Sequence, residues 1–115
     1  MDVTIYHNPR CSKSRETLGL LKDKGIEPTV IEYLKTPPSA AEIADILAKL
    51  GRTPRELMRT KEAEYKEQGL DDPSLDDGKL INAMVDTPKL MERPVVLANG
   101  KAAIGRPPES VLDIL

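Results

Sequence analysis

The sequence has few of the residues from which a function is usually inferred. Its 115 residues include one cysteine, one histidine and three tyrosines, with no phenylalanine and no tryptophan. A single cysteine cannot form a disulfide within the chain, and one cysteine with one histidine cannot supply the four ligands of a structural zinc site. We therefore expect no disulfide framework and no metal site, and a core built from aliphatic side chains.

Long apolar runs and an excess of positive charge are also absent. No stretch approaches the roughly 20 apolar residues that a membrane-spanning helix needs, and the first residues do not resemble a signal peptide. The chain has seventeen Lys and Arg and nineteen Asp and Glu, which gives a net charge of −2. A general nucleic-acid binder would be basic. These absences argue against membrane and nucleic-acid partners. Together with the lack of disulfides they predict a soluble protein of the reducing cytoplasm.

Strand patterns stand at the two ends of the chain. Residues 2–6 (DVTIY) and 29–34 (TVIEYL) are typical of short strands, and the helical periodicity between them predicts a right-handed βαβ unit with parallel strands. Residues 94–105 contain two further short strands around Asn99-Gly100, which is a strong hairpin signal. The closing segment, PPESVLDIL, predicts a short helix.

The middle of the chain predicts helices only. Residues 36–51 form an apolar helical pattern whose start carries a capping box, Ser39 with Glu42 three positions later. One or two short polar helices are expected in residues 54–68, and another apolar pattern fills residues 76–88.

The predicted element order is β-α-β, then helices, then β-β-α. This order matches a thioredoxin-like core, in which a βαβ half and a ββα half share one mixed four-stranded sheet. We expect an α/β protein with a single domain over residues 1–115 and a helical insert at about residues 37–90 between the halves.

The only cysteine and the only histidine lie together in YHNPRCSKSRETL, residues 6–18. Cys11 falls between a strand end and the first turn of a helix, where free backbone N–H groups and the helix dipole favour a thiolate. His7, Arg10, Lys13 and Arg15 add cationic neighbours. A buried apolar filler is not expected in a polar loop that contains proline, so we interpret Cys11 as a nucleophile.

Ser14 occupies the place of the second thiol in a Cys-x-x-Cys redox site. Any disulfide made by Cys11 must therefore join it to another molecule. We interpret His7 as an electrostatic tuner of the thiolate rather than as a general base, since no Ser/His/Asp arrangement accompanies it.

Three arginines are candidate anion ligands. Arg93 precedes the third predicted strand, Arg106 follows the fourth, and Arg59 lies in LMRTKEAEY. In a thioredoxin-like sheet Arg93 and Arg106 would lie at the same edge as the cysteine loop. Because the planar guanidinium matches oxyanions, the pattern predicts an oxyanion site that contains a nucleophile.

At these residues the chain resembles the glutaredoxin-coupled arsenate reductase family. Five segments occur in the order and spacing of that family and span essentially the full length: IYHNPRCSKSRETL, IEYLKTPPS, LMRTKEAEYKEQGL, LINAMVDTPKLMERPVV and IGRPPESVLDIL. One departure is Ser12, where many relatives have a glycine directly after the cysteine; we expect the loop to tolerate it, because the residue there mostly offers its backbone N–H.

The resemblance implies a role for each candidate. The family's catalytic cysteine corresponds to Cys11, the histidine that helps to keep it ionised to His7, and the hydroxyl residue three positions after the cysteine to Ser14. Its three oxyanion-binding arginines correspond to Arg59, Arg93 and Arg106. Its cis-proline corresponds to Pro94. The implied activity is reduction of arsenate to arsenite by a monomer with no bound cofactor. Glutathione would be the reductant, and glutaredoxin the partner that clears the remaining mixed disulfide.

Three alternatives stay open. One is a glutathione-dependent thiol oxidoreductase of the same superfamily that acts on a different substrate. A second is a phosphate-binding module, because phosphate and arsenate are alike in shape and charge. The third is a non-enzymatic regulator of the Spx type, which binds RNA polymerase; Ser14 argues against it, because such regulators sense redox state through a Cys-x-x-Cys pair.

Overall fold

The structure is a computed structural model and describes residues 2–115. Packing divides the chain into two compact units. The first runs to Thr36 and resumes at Arg93–Leu115, and the second is Pro37–Glu92. The second unit has nearly the bounds of the predicted insert, and the assignment of the whole chain to one domain stays a prediction.

The first unit contains four strands, one α-helix and a closing 3₁₀ helix. In chain order these are β1 (Val3–His7), α1 (Ser12–Asp23), β2 (Thr29–Glu32), β3 (Val95–Ala98), β4 (Lys101–Ile104) and the 3₁₀ helix Pro108–Ile114. The sheet order is β2-β1-β3-β4, with β1 parallel to β2 and the other two pairs antiparallel. The predicted α/β class and mixed four-stranded thioredoxin-like sheet are confirmed. The closing helix is of the 3₁₀ type.

Aliphatic side chains make up the core of this unit, as the lack of phenylalanine and tryptophan requires. Ile5 on the central strand, Leu21 on α1, Val96 on β3 and Val111 on the 3₁₀ helix are all fully buried and pack together. Burying such side chains contributes about 1.5–3 kcal/mol each. This packing fixes α1, and with it Cys11 at the start of α1, against the sheet.

Two turns of the first unit follow the sequence directly. Asn99 and Gly100 both have positive φ, 55° and 73°, and join β3 to β4 in the two-residue hairpin that the dipeptide predicts. Gly25, with φ of 78°, follows the end of α1 and supplies the left-handed residue that commonly terminates a helix.

The second unit is mainly helical. It contains α2 (Ala40–Leu50), α3 (Pro54–Leu57), α4 (Ala63–Glu67), α5 (Asp77–Asp86) and a 3₁₀ turn, Pro88–Leu90. The predicted capping box at α2 is present: the Ser39 hydroxyl accepts from the Glu42 N–H at 3.1 Å, and the Ser39 N–H donates to Glu42 Oε1 at 2.9 Å. No helix among residues 2–115 is long and apolar enough to cross a membrane.

Candidate active site

Cys11 is held at the start of α1 by a tight turn. β1 ends at His7, and in the following turn the Cys11 N–H donates to the Asn8 carbonyl at 3.0 Å. The Arg10 N–H donates to Asn8 Oδ1, also at 3.0 Å. Cys11 has extended backbone angles as the N-cap residue, and its side chain is half-buried. The turn therefore leaves the thiol beside the unpaired N–H groups of the first helical turn.

The surroundings of Cys11 favour its anionic form. Burial raises the pKa of the thiol, but hydrogen bonds from the Ser14 backbone N–H, the Arg93 guanidinium and the Lys13 backbone N–H lower it, and the net pKa lies below its ordinary value. Arg106 Nη2 lies 3.4 Å from the sulfur as well. The direction of the shift is the one that the sequence predicts, and backbone N–H groups and Arg93 produce it.

Arg93 and Arg106 converge on the sulfur because the strand ends place them together. Arg106 Nε donates to the Arg93 carbonyl at 2.8 Å, which fixes the guanidinium relative to the start of β3. The Arg93–Pro94 peptide bond is cis, as the resemblance implies, and the Arg106–Pro107 bond is cis too. The structure thus brings two of the three predicted arginines to Cys11.

Gly105 is part of this arrangement, although the sequence reasoning missed it. A Cβ at this position would lie 2.7 Å from Cγ of Pro94 and would collide with the side chain of Thr17 on α1. The Gly105 N–H also donates to the Pro94 carbonyl at 2.9 Å. Only a residue without a side chain lets α1, Pro94 and the end of β4 meet here, one residue before Arg106.

His7 and Ser14 contact each other. His7 Nδ1 lies 2.6 Å from the Ser14 hydroxyl, which also accepts the Asn8 N–H at 3.0 Å. Ser14 is 0% exposed and His7 6%. In the tautomer with its proton on Nε2, Nδ1 accepts from the Ser14 hydroxyl while the hydroxyl oxygen accepts from the Asn8 N–H. The Ser14 backbone N–H bonds the sulfur of Cys11. Its hydroxyl bonds His7 and Asn8 instead, and so stabilises the loop.

The structure does not support a positive charge on His7 at neutral pH. The pKa of His7 is lowered from 6.5, chiefly by burial; Glu32 opposes the shift, and Arg15 and Lys22 add to it. The ring is therefore mostly neutral at pH 7. The ring contacts the Ser14 hydroxyl, and the role of His7 as a tuner of the thiolate stays a prediction.

Arg59 belongs to the second unit and is bound by two carboxylates. Its Nε donates to Glu62 Oε1 at 3.0 Å and its Nη1 donates to Glu92 Oε1 at 2.8 Å. Burial lowers the Arg59 pKa but the two glutamates raise it, with a net increase. The sequence could indicate Glu62 as a partner of Arg59, because the two opposite charges lie three residues apart. Nothing in the sequence indicates that Glu92 is the second partner. The role of Arg59 as an oxyanion ligand stays a prediction.

The arrangement around Cys11 suits one kind of chemistry. An anionic sulfur lies beside two guanidinium groups and a helix N-terminus, a combination that can hold a tetrahedral oxyanion and attack its central atom. Within residues 2–115, no group of three or more His, Cys, Asp or Glu side chains is placed to hold a metal ion.

Comparison with known proteins gives consistent matches over the whole chain. A protein of Escherichia coli K12, the uncharacterized protein YfgD, is 65% identical over 98% of this chain and 96% of its own length. An arsenate reductase of Neisseria meningitidis is 53% identical over 99% of this chain and 98% of its own length. The solved structure of an arsenate reductase from Vibrio cholerae superposes with a TM-score of 0.98 at 55% identity, covering 100% of this chain and 98% of that one. The ArsC family model matches residues 6–114, and the chain therefore belongs to the ArsC family.

Proposed function

We propose that this protein reduces arsenate to arsenite. The observation that carries the proposal is the position of two guanidinium groups on the only thiol: Arg106 Nη2 lies 3.4 Å from Cys11 Sγ, and Arg93 bonds the same sulfur. An oxyanion on these groups presents its central atom to the thiolate. The relatives from N. meningitidis and V. cholerae, both named arsenate reductases, support this choice of substrate.

The first step is a substitution at arsenic. The Cys11 thiolate attacks arsenate, a sulfur–arsenic bond forms, and one arsenate oxygen leaves as water after protonation. Arsenic remains As(V) in this step. Arg93 and Arg106 neutralise the negative charge that would otherwise repel the thiolate, and Arg59 is proposed as the third ligand.

The second step is the reduction. A glutathione thiolate attacks Cys11 Sγ, so a disulfide forms, the sulfur–arsenic bond breaks, and its electron pair stays on arsenic, which leaves as arsenite. Glutaredoxin then attacks the glutathione sulfur and returns Cys11 to its thiolate. Glutathione and glutaredoxin are proposed because Ser14 stands where an internal resolving thiol would be. Since both thiols must stay reduced, the reaction fits a cytoplasmic enzyme. Glutathione supplies the electrons, so the proposed reaction uses no bound cofactor.

The other predicted residues have supporting roles in this proposal. Ser14 stabilises the thiolate through its N–H and ties the loop to His7 through its hydroxyl. Pro94 lies beside Gly105 at the point where Gly105 approaches α1. In this proposal that packing helps to position Arg106, the residue after Gly105.

The test is arsenate-dependent oxidation of NADPH in the presence of glutathione, glutathione reductase and glutaredoxin. The wild-type protein is expected to turn over, and Cys11→Ser, folded as judged by urea unfolding, is expected to show no activity. Substantial turnover by the folded variant would remove Cys11 as the nucleophile. A wild-type protein that oxidises no NADPH in response to arsenate would reject the proposed function itself.

A second candidate is a glutathione-dependent thiol oxidoreductase with a different substrate. It is favoured by the state of Arg59, which is bound by Glu62 and Glu92 rather than open for a third contact to an oxyanion. The same coupled assay separates the two functions when a small glutathione mixed disulfide replaces arsenate. Turnover of the disulfide with none of arsenate would favour this candidate.

A further inference from the structure

A cavity of the first unit lies directly beside the cysteine loop. It has a volume of about 250 Å³ and is lined by residues 7–10 on one side and by Glu32, Leu34 and Lys35 on the other. Residues 7–10 are the four that precede Cys11, and Glu32 pairs with His7 in the parallel register of β1 and β2. The cavity therefore lies at the same end of the sheet as the nucleophile.

The wall of this cavity is within reach of a peptide whose thiol is at Cys11. The Cys11 N–H donates to the Asn8 carbonyl, which closes a β-turn and keeps the α-carbons of these two residues within about 7 Å. An extended tripeptide spans about 10 Å, so one of its ends can enter the cavity while its sulfur lies at Cys11 Sγ. The volume is smaller than the roughly 300 Å³ at which whole small-molecule sites begin, and it suits one end of such a peptide.

The cavity and the two arginines at the sulfur lie on opposite sides of β1. In the sheet order β2-β1-β3-β4, the cavity is at the ends of β1 and β2, whereas Arg93 and Arg106 come from the ends of β3 and β4. Substitution at sulfur proceeds in line, so a thiolate that displaces arsenic from Cys11 Sγ approaches from the side opposite the arsenic. An oxyanion on the two arginines leaves the β2 side for this second reactant.

The charges around the cavity complement those of glutathione. Arg10 is exposed, and its guanidinium makes no ion pair or hydrogen bond within residues 2–115. The Lys35 side chain is 79% exposed and lies 3.6 Å from Glu32. These three side chains carry two positive charges and one negative charge, whereas glutathione at neutral pH carries two carboxylates and one ammonium group. Leu34, which is exposed, adds an apolar contact for the peptide.

We infer that this cavity is a subsite for glutathione, in which Arg10 and Lys35 attract the carboxylates of the tripeptide and Glu32 attracts its ammonium group. The inference rests on the proposed function, in which glutathione is the reductant, and it applies equally to the second candidate, which also uses glutathione. Binding here holds the reducing thiol beside Cys11 Sγ, on the side from which it can displace arsenic.

The test compares two disulfides that react with Cys11 by the same step. The Cys11 thiolate attacks glutathione disulfide, a mixed disulfide forms, and one glutathione leaves as its thiolate; hydroxyethyl disulfide reacts in the same way but carries no charge. Mass spectrometry follows both rates, and their ratio cancels changes in the reactivity of Cys11 itself. Arg10→Gln and Lys35→Gln are each expected to lower the ratio by about two- to fivefold and to raise the KM for glutathione by a similar factor.

Lys13→Gln is the matched control for Lys35→Gln. The Lys13 ammonium lies 3.5 Å from Glu16, as that of Lys35 lies 3.6 Å from Glu32, but Lys13 is outside the cavity although it is close to Cys11 in the chain. The ratio of the two rates is expected to stay within about 1.5-fold of the wild-type ratio. A ratio that is unchanged in both Arg10→Gln and Lys35→Gln would overturn the inference, and so would an equal fall in Lys13→Gln.

The disulfide test is independent of arsenate, so the inference and the proposed function can fail separately. If the ratio falls as expected but the wild-type protein does not reduce arsenate, the glutathione subsite stands and the proposed substrate is wrong. If arsenate is reduced but the ratio does not depend on Arg10 or Lys35, the proposed function stands and the subsite is wrong.

Discussion

Cys11 is activated by groups from three separate segments of the first unit. The N–H of Ser14 comes from α1, the guanidinium of Arg93 from the residue before β3, and that of Arg106 from the residue after β4. The thiolate is therefore a property of the folded sheet edge, and it should disappear when the chain unfolds.

The first prediction concerns the ionisation of Cys11. Alkylation rate or thiolate absorbance near 240 nm, measured against pH, is expected to give a midpoint below the value of about 8.5 for a free cysteine. Arg93→Ala is expected to raise the midpoint, because it removes a cationic hydrogen-bond donor. Saturating sulfate should raise it as well, since a bound anion repels the thiolate. A midpoint at or above the free-cysteine value in the anion-free protein would contradict the assignment.

The second prediction concerns the oxyanion ligands. Arg93→Ala and Arg106→Ala are each expected to lower kcat/KM for arsenate by about ten- to a hundredfold, which corresponds to about 1.5–3 kcal/mol for a lost charge-assisted hydrogen bond. Lysine at either position should restore only part of the activity, because it lacks the planar fork.

The control for these variants should be an exposed arginine outside the proposed site. Arg52 is exposed, and Arg52→Ala should be nearly silent. Arg55 is unsuitable, because its guanidinium bonds Tyr65 Oη and the carbonyls of Leu70 and Asp72. A loss in Arg52→Ala equal to that in Arg93→Ala would place the oxyanion elsewhere.

At the scale of elements, the site depends on how closely α1, Pro94 and the end of β4 approach one another. Gly105 permits this approach because no Cβ stands between Thr17 and Pro94. The next residue is Arg106, so the packing of Gly105 helps to set the position of the guanidinium.

Gly105→Ala is therefore expected to lower the free energy of unfolding by about 1–3 kcal/mol, the usual cost of overpacking, and to lower kcat/KM by displacing Arg106. Urea unfolding and the arsenate assay measure the two effects. Thr17→Ala in the same chain removes the Oγ1 and Cγ2 atoms that the new methyl group would meet. The double variant should therefore regain part of the lost stability and part of the lost kcat/KM. Wild-type stability in Gly105→Ala would show that the contact is unimportant.

The elements that the sequence predicts well are those with local signals. Asn99-Gly100 specifies its own turn, the Ser39–Glu42 capping box marks the start of α2, and the position of Cys11 follows from the order of β1 and α1. These features need only neighbouring residues. The thioredoxin-like sheet follows from the order of such elements, without any long-range information.

What the sequence could not predict depends on contacts between distant residues. Glu92 binds Arg59 across 33 positions, and Gly105 fits against Thr17 only after the sheet has formed. The lowered pKa of His7 has the same origin. Its neighbours in sequence suggest a cation, but burial, which depends on the whole fold, lowers its pKa.

At the scale of the whole molecule, an aliphatic core and a nearly balanced surface leave few groups that titrate near neutral pH. The chain has one histidine and one cysteine, and both lie in the first unit. Carboxylates titrate mostly near pH 4, so once Cys11 is replaced a single side chain has its ordinary pKa between about pH 5.5 and pH 7.

That side chain is His7, and the sign of its effect follows from its lowered pKa. The unfolded ring titrates near 6.5 and the folded ring below it, so between these two values the unfolded chain binds more protons. The contribution of His7 to stability is complete above about pH 6.5 and is lost as the pH falls through the folded pKa. Acid thus weakens the His7–Ser14 contact that supports the cysteine loop.

The measurement is the free energy of unfolding in urea from pH 7.5 to pH 5.5, made on Cys11→Ser so that the thiol does not titrate. Stability is expected to fall below about pH 6.5 in the protein that retains His7. His7→Asn, whose amide stays neutral, should be less stable at pH 7.5 because it replaces a buried ring, and should show almost no fall over the same range. Equal slopes in the two proteins would mean that folding does not lower the His7 pKa, and the stability effect assigned to His7 would be wrong.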